Sequence, residues 1–141
     1  MNNVLQERYA CYEWHLDGFA PSGARRAVEE ILFFWEVERE GVGDAMLITS
    51  EVVTNAVRHV HPELRRTGFL HVAIVLAAGT LRFEISDPDP RPPRLVHATD
   101  DDECHRGMTI VDALAREWGC QPAPVGFGKV VWWTQSVALA R

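Results

Sequence analysis

The segment from Leu47 to Val60, Leu-Ile-Thr-Ser-Glu-Val-Val-Thr-Asn-Ala-Val-Arg-His-Val, constrains the fold more than any other. At about 100° per residue, Val52, Val53, Ala56, Val57 and Val60 gather on one side of a helix. A helix with such a side needs a second layer to cover it. Glu51 and Asn55 are four residues apart and stack one turn above the other on a different side, and His59 extends the row. Taken alone, the row reads as the solvated face of an amphipathic helix. The other reading is a carboxylate, an amide and an imidazole reaching into one pocket.

The flanking sequence supplies the second layer. Arg8 to Leu16 mixes aromatic and apolar residues up to Asp17-Gly18, which predicts a short strand. Ala20-Pro21-Ser22 opens a helix in which Ala24, Val28, Ile31, Leu32 and Trp35 recur at helical spacing. Gly41-Val42-Gly43 is expected to break it, with Asp44 as N-cap of the next helix and Pro62 ending that helix by His61. Glu63 to Thr67 reads as a polar connection. Phe69 to Leu76 is β-rich, and Leu81, Phe83 and Ile85 alternate with Arg82, Glu84 and Ser86, so the two runs, separated by Gly79-Thr80, are expected to form an antiparallel hairpin. The second strand delivers Asp87 at its C-terminal end.

The prolines at 88, 90, 92 and 93 exclude regular structure there, and Asp100-Asp101-Asp102-Glu103 is acidic. Residues 88 to 105 are expected to be a long loop, the most mobile part of the domain, ordering around a nucleotide or partner. Gly107 is expected to start a helix with Ile110, Val111, Leu114 and Trp118 as its apolar stripe and Gly119 as its stop. Cys120 to Val125, a turn at Gly126-Phe127-Gly128, and Lys129 to Val137 complete the chain as strands. The order β-α-α-β-β-loop-α-β-β predicts an α/β (α+β) two-layer sandwich. Its sheet is mixed and mostly antiparallel, covered on one face by about three helices, in a single domain spanning 1–141.

Composition removes several function classes. The chain has 141 residues, 47% hydrophobic and 24% charged, ordinary values for a globular protein with a real core. A net charge of −6 without a basic run argues against nucleic acid as a direct partner. No apolar run has the length of a membrane span, and the first residues lack signal-peptide features, so a cytoplasmic location is expected. Cys11, Cys104 and Cys120 share no metal-ligand spacing and read as free thiols. Of the 14 basic residues 13 are arginine, and Lys129 is the single lysine.

Several of these segments, in this order, resemble the GHKL (Bergerat-fold) ATPase superfamily. Glu51-Val-Val-Thr-Asn55-Ala-Val-Arg-His59 is similar to its N-box. Asp87 resembles the adenine-reading aspartate of its first glycine box, and Arg106-Gly107-Met108-Thr109-Ile110-Val111 its second glycine box. Gly126-Phe127-Gly128-Lys129-Val130-Val131-Trp132 resembles its closing motif. The short length and the Ala20-Pro21-Ser22 helix start resemble the bacterial anti-sigma factor serine/threonine kinase branch, and the likeness runs from about Arg8 to Gln135.

The resemblance implies ATP and Mg²⁺ as cofactors. It places Glu51 as the catalytic base near the γ-phosphate, and Asn55 as both Mg²⁺ ligand and phosphate contact. Asp87 would accept from the adenine amine. His59, Arg106, Gly107, Met108, Thr109 and Lys129 would complete the nucleotide site, with Gly107 at a phosphate-binding helix N-terminus. It also implies a sigma factor and a STAS-type anti-anti-sigma protein as partners, and is compatible with a homodimer.

Three positions depart from the pattern. Asp89 and His105 stand where glycine is usual, and Val130 where threonine is usual. Fewer glycines stiffen the lid and limit close backbone approach to phosphates, and an acidic lid repels nucleotide. Two functions therefore stay open: an ATP-dependent protein serine/threonine kinase, favoured by Glu51, and an interaction module that sequesters a regulatory partner without phosphotransfer, favoured by the departures. A sensor-kinase fragment acting on histidine is disfavoured, since no phosphoacceptor helix precedes the domain.

Overall fold

In the computed structural model residues 6–91, 103–123 and 128–140 are described, the side chains of 103–108 excepted. The order is β1 (Arg8–His15), α1 (Ala20–Phe34), α2 (Arg39–His59), α3 (Pro62–Thr67), β2 (Phe69–Ala77), β3 (Thr80–Asp87), α4 (Glu103–Leu114), β4 (Glu117–Pro122) and β5 (Lys129–Ser136). The strands form one sheet in the order β1-β2-β3-β5-β4. Every pairing is antiparallel, in keeping with the expected mostly antiparallel sheet, and four helices accompany it among the described residues.

The hairpin between β2 and β3 turns on two residues, Ala78 (φ 49°) and Gly79 (φ 75°). Both are left-handed, the geometry whose twist matches that of paired strands. Alternation then decides the faces. Leu70, Val72, Ile74 and Leu76 on β2, and Leu81, Phe83 and Ile85 on β3, are buried under the helices with Val131 and Trp133 of β5. Phe83 and Trp133, register partners, stack with ring centroids 4.6 Å apart and an interplanar angle of 4°. The opposite face carries residues such as Glu84 and Arg82, whose guanidinium lies 4.5 Å from the Trp132 ring centroid.

Helix α1 buries Ala20, Ala24, Val28 and Leu32. Helix α2 buries Val42, Ala45, Ile48, Val52, Val53 and Ala56, and Val60 just beyond it is buried too, while Val57 is half-buried. The apolar side expected of α2 is thus the one packed inward, against α1, α4 and the sheet.

Four local expectations give way to tertiary contacts. Helix α2 starts at Arg39 and not after Asp44, with Glu38 as an N-cap that makes no side-chain bond. Gly41 therefore lies inside it, where a Cβ would sit 2.9 Å from Val137 Cγ1, so this glycine permits close packing and does not break the helix. The polar stretch after Pro62 forms the short α3, capped by His61, whose side chain accepts from Glu63 N–H at 3.3 Å. Helix α4 starts at Glu103 and ends at Leu114. Trp118 and Gly119 belong to β4, where a Cβ on Gly119 would meet the Trp132 indole at 2.9 Å. Gly119 admits that ring and is not a helix stop.

The face assignment yields a test. Trp133→Ala is expected to cost about 3–5 kcal/mol in urea unfolding, as a deleted core aromatic. Trp132→Ala should lose much less, its cation–π contact being worth about 0.5–1 kcal/mol at an exposed site. Equal losses would contradict the register of β5.

Candidate functional site

Asp87 is the last residue of β3, and period-two alternation after Leu81, Phe83 and Ile85 turns it inward. It is only 3% exposed. Its Oδ1 accepts from the Asp89 N–H at 2.8 Å and from Lys129 Nζ at 3.1 Å. Nζ lies 3.1 Å from Oδ2 as well, and donates to the Asp89 carbonyl at 3.1 Å. Lys129 is the register partner of Asp87 across β3 and β5, so sheet pairing itself brings the two charges together. Burial pushes the Asp87 carboxyl above its ordinary range, and the Lys129 charge and the Asp89 N–H offset part of that. The half-buried Cys120 thiol is also pushed up by burial, with Lys129 lowering it and Asp87 raising it.

Gly128 (φ 75°) precedes Lys129 and lies against the Asp87–Pro88 backbone, where any Cβ would collide. Both its left-handed backbone and its contact require glycine. Gly68, at the end of α3, similarly lies against Leu64 O, with a Cβ 2.8 Å from the Pro88 ring.

Asp89 is 2% exposed and joins this strand end to α2. Its carboxylate accepts from the His61 N–H at 3.1 Å and the Arg91 N–H at 3.0 Å. It also accepts from Arg91 Nε at 3.0 and 3.1 Å, and from Arg91 Nη2 at 2.6 Å. Arg91 Nη2 in turn donates to the His59 carbonyl at 3.0 Å, at the C-terminal end of α2. The Arg91 guanidinium beside it holds the Asp89 carboxyl well below the usual carboxylate range, against burial and with help from the His61 N–H. The first residues of the expected mobile loop are therefore anchored, while 92–102, including Asp100, Asp101 and Asp102, lie outside the described residues.

Glu51 and Asn55 are both half-buried on α2, and the His59 side chain is exposed at its end. At 1.5 Å rise per residue the row runs roughly 12 Å from Glu51 to His59. It starts beside the buried valines and ends at the carbonyl held by Arg91. Thr109 is exposed on α4. Gly107 is the fifth residue of α4, so the helix N-terminus expected at Gly107 is not there, and helical hydrogen bonding already begins before it. The side chains of Arg106 and Met108, and the Gly126-Phe127 turn, lie outside the described residues.

Of the residues expected at the site, the fold brings Asp87 and Lys129 into contact and sets Glu51 and Asn55 on one half-buried row. Asp89, Arg91 and Gly128 complete the arrangement and were not expected to. The Asp-x-Asp-x-Arg spacing of 87–91 was the available signal. At the opposite end of α2, a groove of about 390 Å³ is lined by Glu38, Glu40, Asp44, Arg116 and Ser136 among others. Three carboxylates against one guanidinium make it a poor place for phosphates.

Residues 20–133 match the histidine kinase-like ATPase domain. The chain belongs to this ATPase family. Its fold is similar to that of the RsbU and RsbW domains of Rv1364c from Mycobacterium tuberculosis, with a TM-score of 0.68 at 20% identity over 91% of this chain and 32% of that one. An uncharacterised protein of Streptomyces coelicolor is 43% identical over 49 residues, 33% of this chain and 47% of the relative. The chain thus spans well under two thirds of either protein. The GHKL resemblance and the two-layer fold hold, and ATP is the nucleotide that family membership assigns to the domain.

The Asp89 contacts set a pH dependence. Its folded carboxyl titrates below the ordinary value of 3.8, so the stability it contributes is present above that value and is lost as pH falls towards the folded one. Asp89→Asn is expected to cost about 1–3 kcal/mol in denaturant unfolding above pH 5. The gap to wild type should shrink as pH drops from about 4 to 2. A gap that stays constant over that range would show that the Asp89 charge does not matter.

Proposed function

We propose that this chain is an ATP- and Mg²⁺-dependent regulator of the anti-sigma factor type. It would transfer the γ-phosphoryl group to a serine or threonine of a STAS-type anti-anti-sigma protein, and bind a sigma factor. The observations that carry the reading are a half-buried Glu51–Asn55 row on α2 and a buried carboxylate at Asp87, in a chain of this ATPase family. Family membership and the RsbW-like fold support it.

Each residue has a role its chemistry can fill. Asp87, beside Lys129, would accept from the base amine and leave a guanine carbonyl facing an acceptor. Asn55 offers a neutral hard oxygen that suits Mg²⁺. Among the described residues no group of three or more His, Cys, Asp or Glu could hold a metal. When bound, Mg²⁺ would neutralise charge on the transferred group. Glu51, one turn before Asn55, would take the proton of the attacking hydroxyl. Arg106, Gly107, Met108 and Thr109 of α4 would contribute to the phosphate side, and His59 would border the site. No described helix is long and apolar enough to cross a membrane; the cytoplasmic location is part of the proposal and follows from the resemblance.

One observation favours the sequestering module instead. The Asp87 carboxylate is already satisfied by Lys129 and the Asp89 N–H, and Val130 carries no hydroxyl towards a base. Three substitutions separate the readings, assayed by calorimetric titration with Mg·ATP and by radiolabel transfer to a STAS-type protein carrying an acceptor serine. Glu51→Ala is expected to hold ATP affinity within a few-fold and to lose about 10²–10⁴-fold in transfer rate. Asn55→Ala should lose both. Asp87→Asn should weaken ATP binding, a neutral amide accepting less strongly than a carboxylate. Wild type that binds ATP but transfers nothing, with Glu51→Ala behaving the same, would leave the sequestering module standing.

A further inference from the structure

Asp89 stands where the resemblance calls for glycine, and its carboxylate makes several hydrogen bonds near the candidate site. Its carboxylate, buried to within 2% of full exclusion, holds the His61 N–H at the start of α3 and the guanidinium of Arg91. Arg91 reaches on to the His59 carbonyl. Its main chain works in the other direction: the Asp89 N–H orients Asp87 Oδ1 at 2.8 Å, and the Asp89 carbonyl receives Lys129 Nζ at 3.1 Å. One residue thus fixes the strand end bearing Asp87 to the end of the helix bearing Glu51 and Asn55.

We propose that Asp89 is a positioning residue for the base end of the site, a latch that sets where Asp87 and Lys129 stand relative to α2. Its consequence for nucleotide rests on the ATP-binding reading above, whereas the latch itself does not. A glycine here would remove the side-chain bonds that tie this turn to His61 and Arg91. Most of the Arg91 side chain is exposed, at 59%, so the latch has a wet outer arm and a dry inner one at His61. Asparagine can keep the inner arm and loses the charge on the outer one, while alanine loses both.

Lys129 makes the latch measurable, since it is the only lysine and its ammonium gives one unambiguous side-chain NMR signal. The experiment records that signal in the full chain, without nucleotide, for wild type, Asp89→Asn, Asp89→Ala and Arg91→Gln. In parallel, affinities for Mg·ATP and for inorganic tripolyphosphate are measured. Wild type should show an ammonium protected from exchange. Asp89→Ala should lose that protection while keeping a folded spectrum, Asp89→Asn should fall between, and Arg91→Gln should shift the same way to a smaller extent. ATP affinity should fall about tenfold in Asp89→Ala, the size of one charge-assisted hydrogen bond lost. Tripolyphosphate, which has no base, should bind within about twofold of wild type.

A folded Asp89→Ala with the wild-type ammonium signal overturns the latch, as does a wild-type ammonium that exchanges freely. Equal loss of ATP and tripolyphosphate also overturns it, because the residue would then support the whole fold and not the base end. If Asp89→Ala does not fold, Arg91→Gln decides by the same signal. Wild type that fails to bind ATP while the ammonium responds as described would uphold the latch and reject the nucleotide reading.

Discussion

Burying a carboxylate at the inner end of a central strand is unfavourable unless the charge is met, and the region around Asp87 is arranged to meet it. Lys129 does so from the facing position on β5, which requires the β3–β5 register to hold along its length. The stacked Phe83 and Trp133 rings hold that register from within the core. Gly128 lets the chain enter β5 flush against Asp87 and Pro88. A buried pair of this kind adds little net stability over apolar residues of the same volume. A buried carboxylate with a charged partner is also the kind of group that a binding site uses, which is the role proposed for it above.

The same economy of contacts links the two ends of the candidate site. Helix α2 carries Glu51 and Asn55 on a half-buried row and finishes at a carbonyl held by Arg91. The β3 exit carries Asp87 and turns back through Asp89 onto the amide of His61. A buried carboxylate and a guanidinium help to join the two elements. The groove at the other end of α2, with Glu38, Glu40 and Asp44, has the wrong charge for a triphosphate. That charge sets it apart from the Asp87 end of the sheet, where the nucleotide is proposed to bind.

Much of this was legible in the sequence because the signals were periodic. The valine side of α2 and the alternation of β3 each followed from a fixed repeat, and Asp87 and Lys129 stood at strand ends that the repeat located, while the hairpin turn falls on Ala78-Gly79, one residue before the expected Gly79-Thr80. What escaped was set by distant contacts. Gly41 and Gly119 looked like helix punctuation, but each makes room for a side chain from β5 or just beyond it, Val137 and Trp132. Trp118 fits a helical stripe equally well, yet pairs opposite Trp133 on β4. Asp89 was read as a missing glycine, since nothing local shows that His61, 28 positions earlier, supplies its partner. Glycine and aspartate in a proline-rich turn carry the same local meaning whether they bend the chain or bind it elsewhere.

The decisive measurement is a crystal structure of the full chain with Mg²⁺ and a non-hydrolysable ATP analogue. The adenine amine is expected within hydrogen-bond distance of the Asp87 carboxylate, with the metal on the Asn55 side-chain oxygen and Glu51 facing the γ-phosphate. A nucleotide bound elsewhere, with the Asp87–Lys129 pair undisturbed and Asn55 turned away from the metal, would contradict the assignment of this end of the sheet as the ATP site.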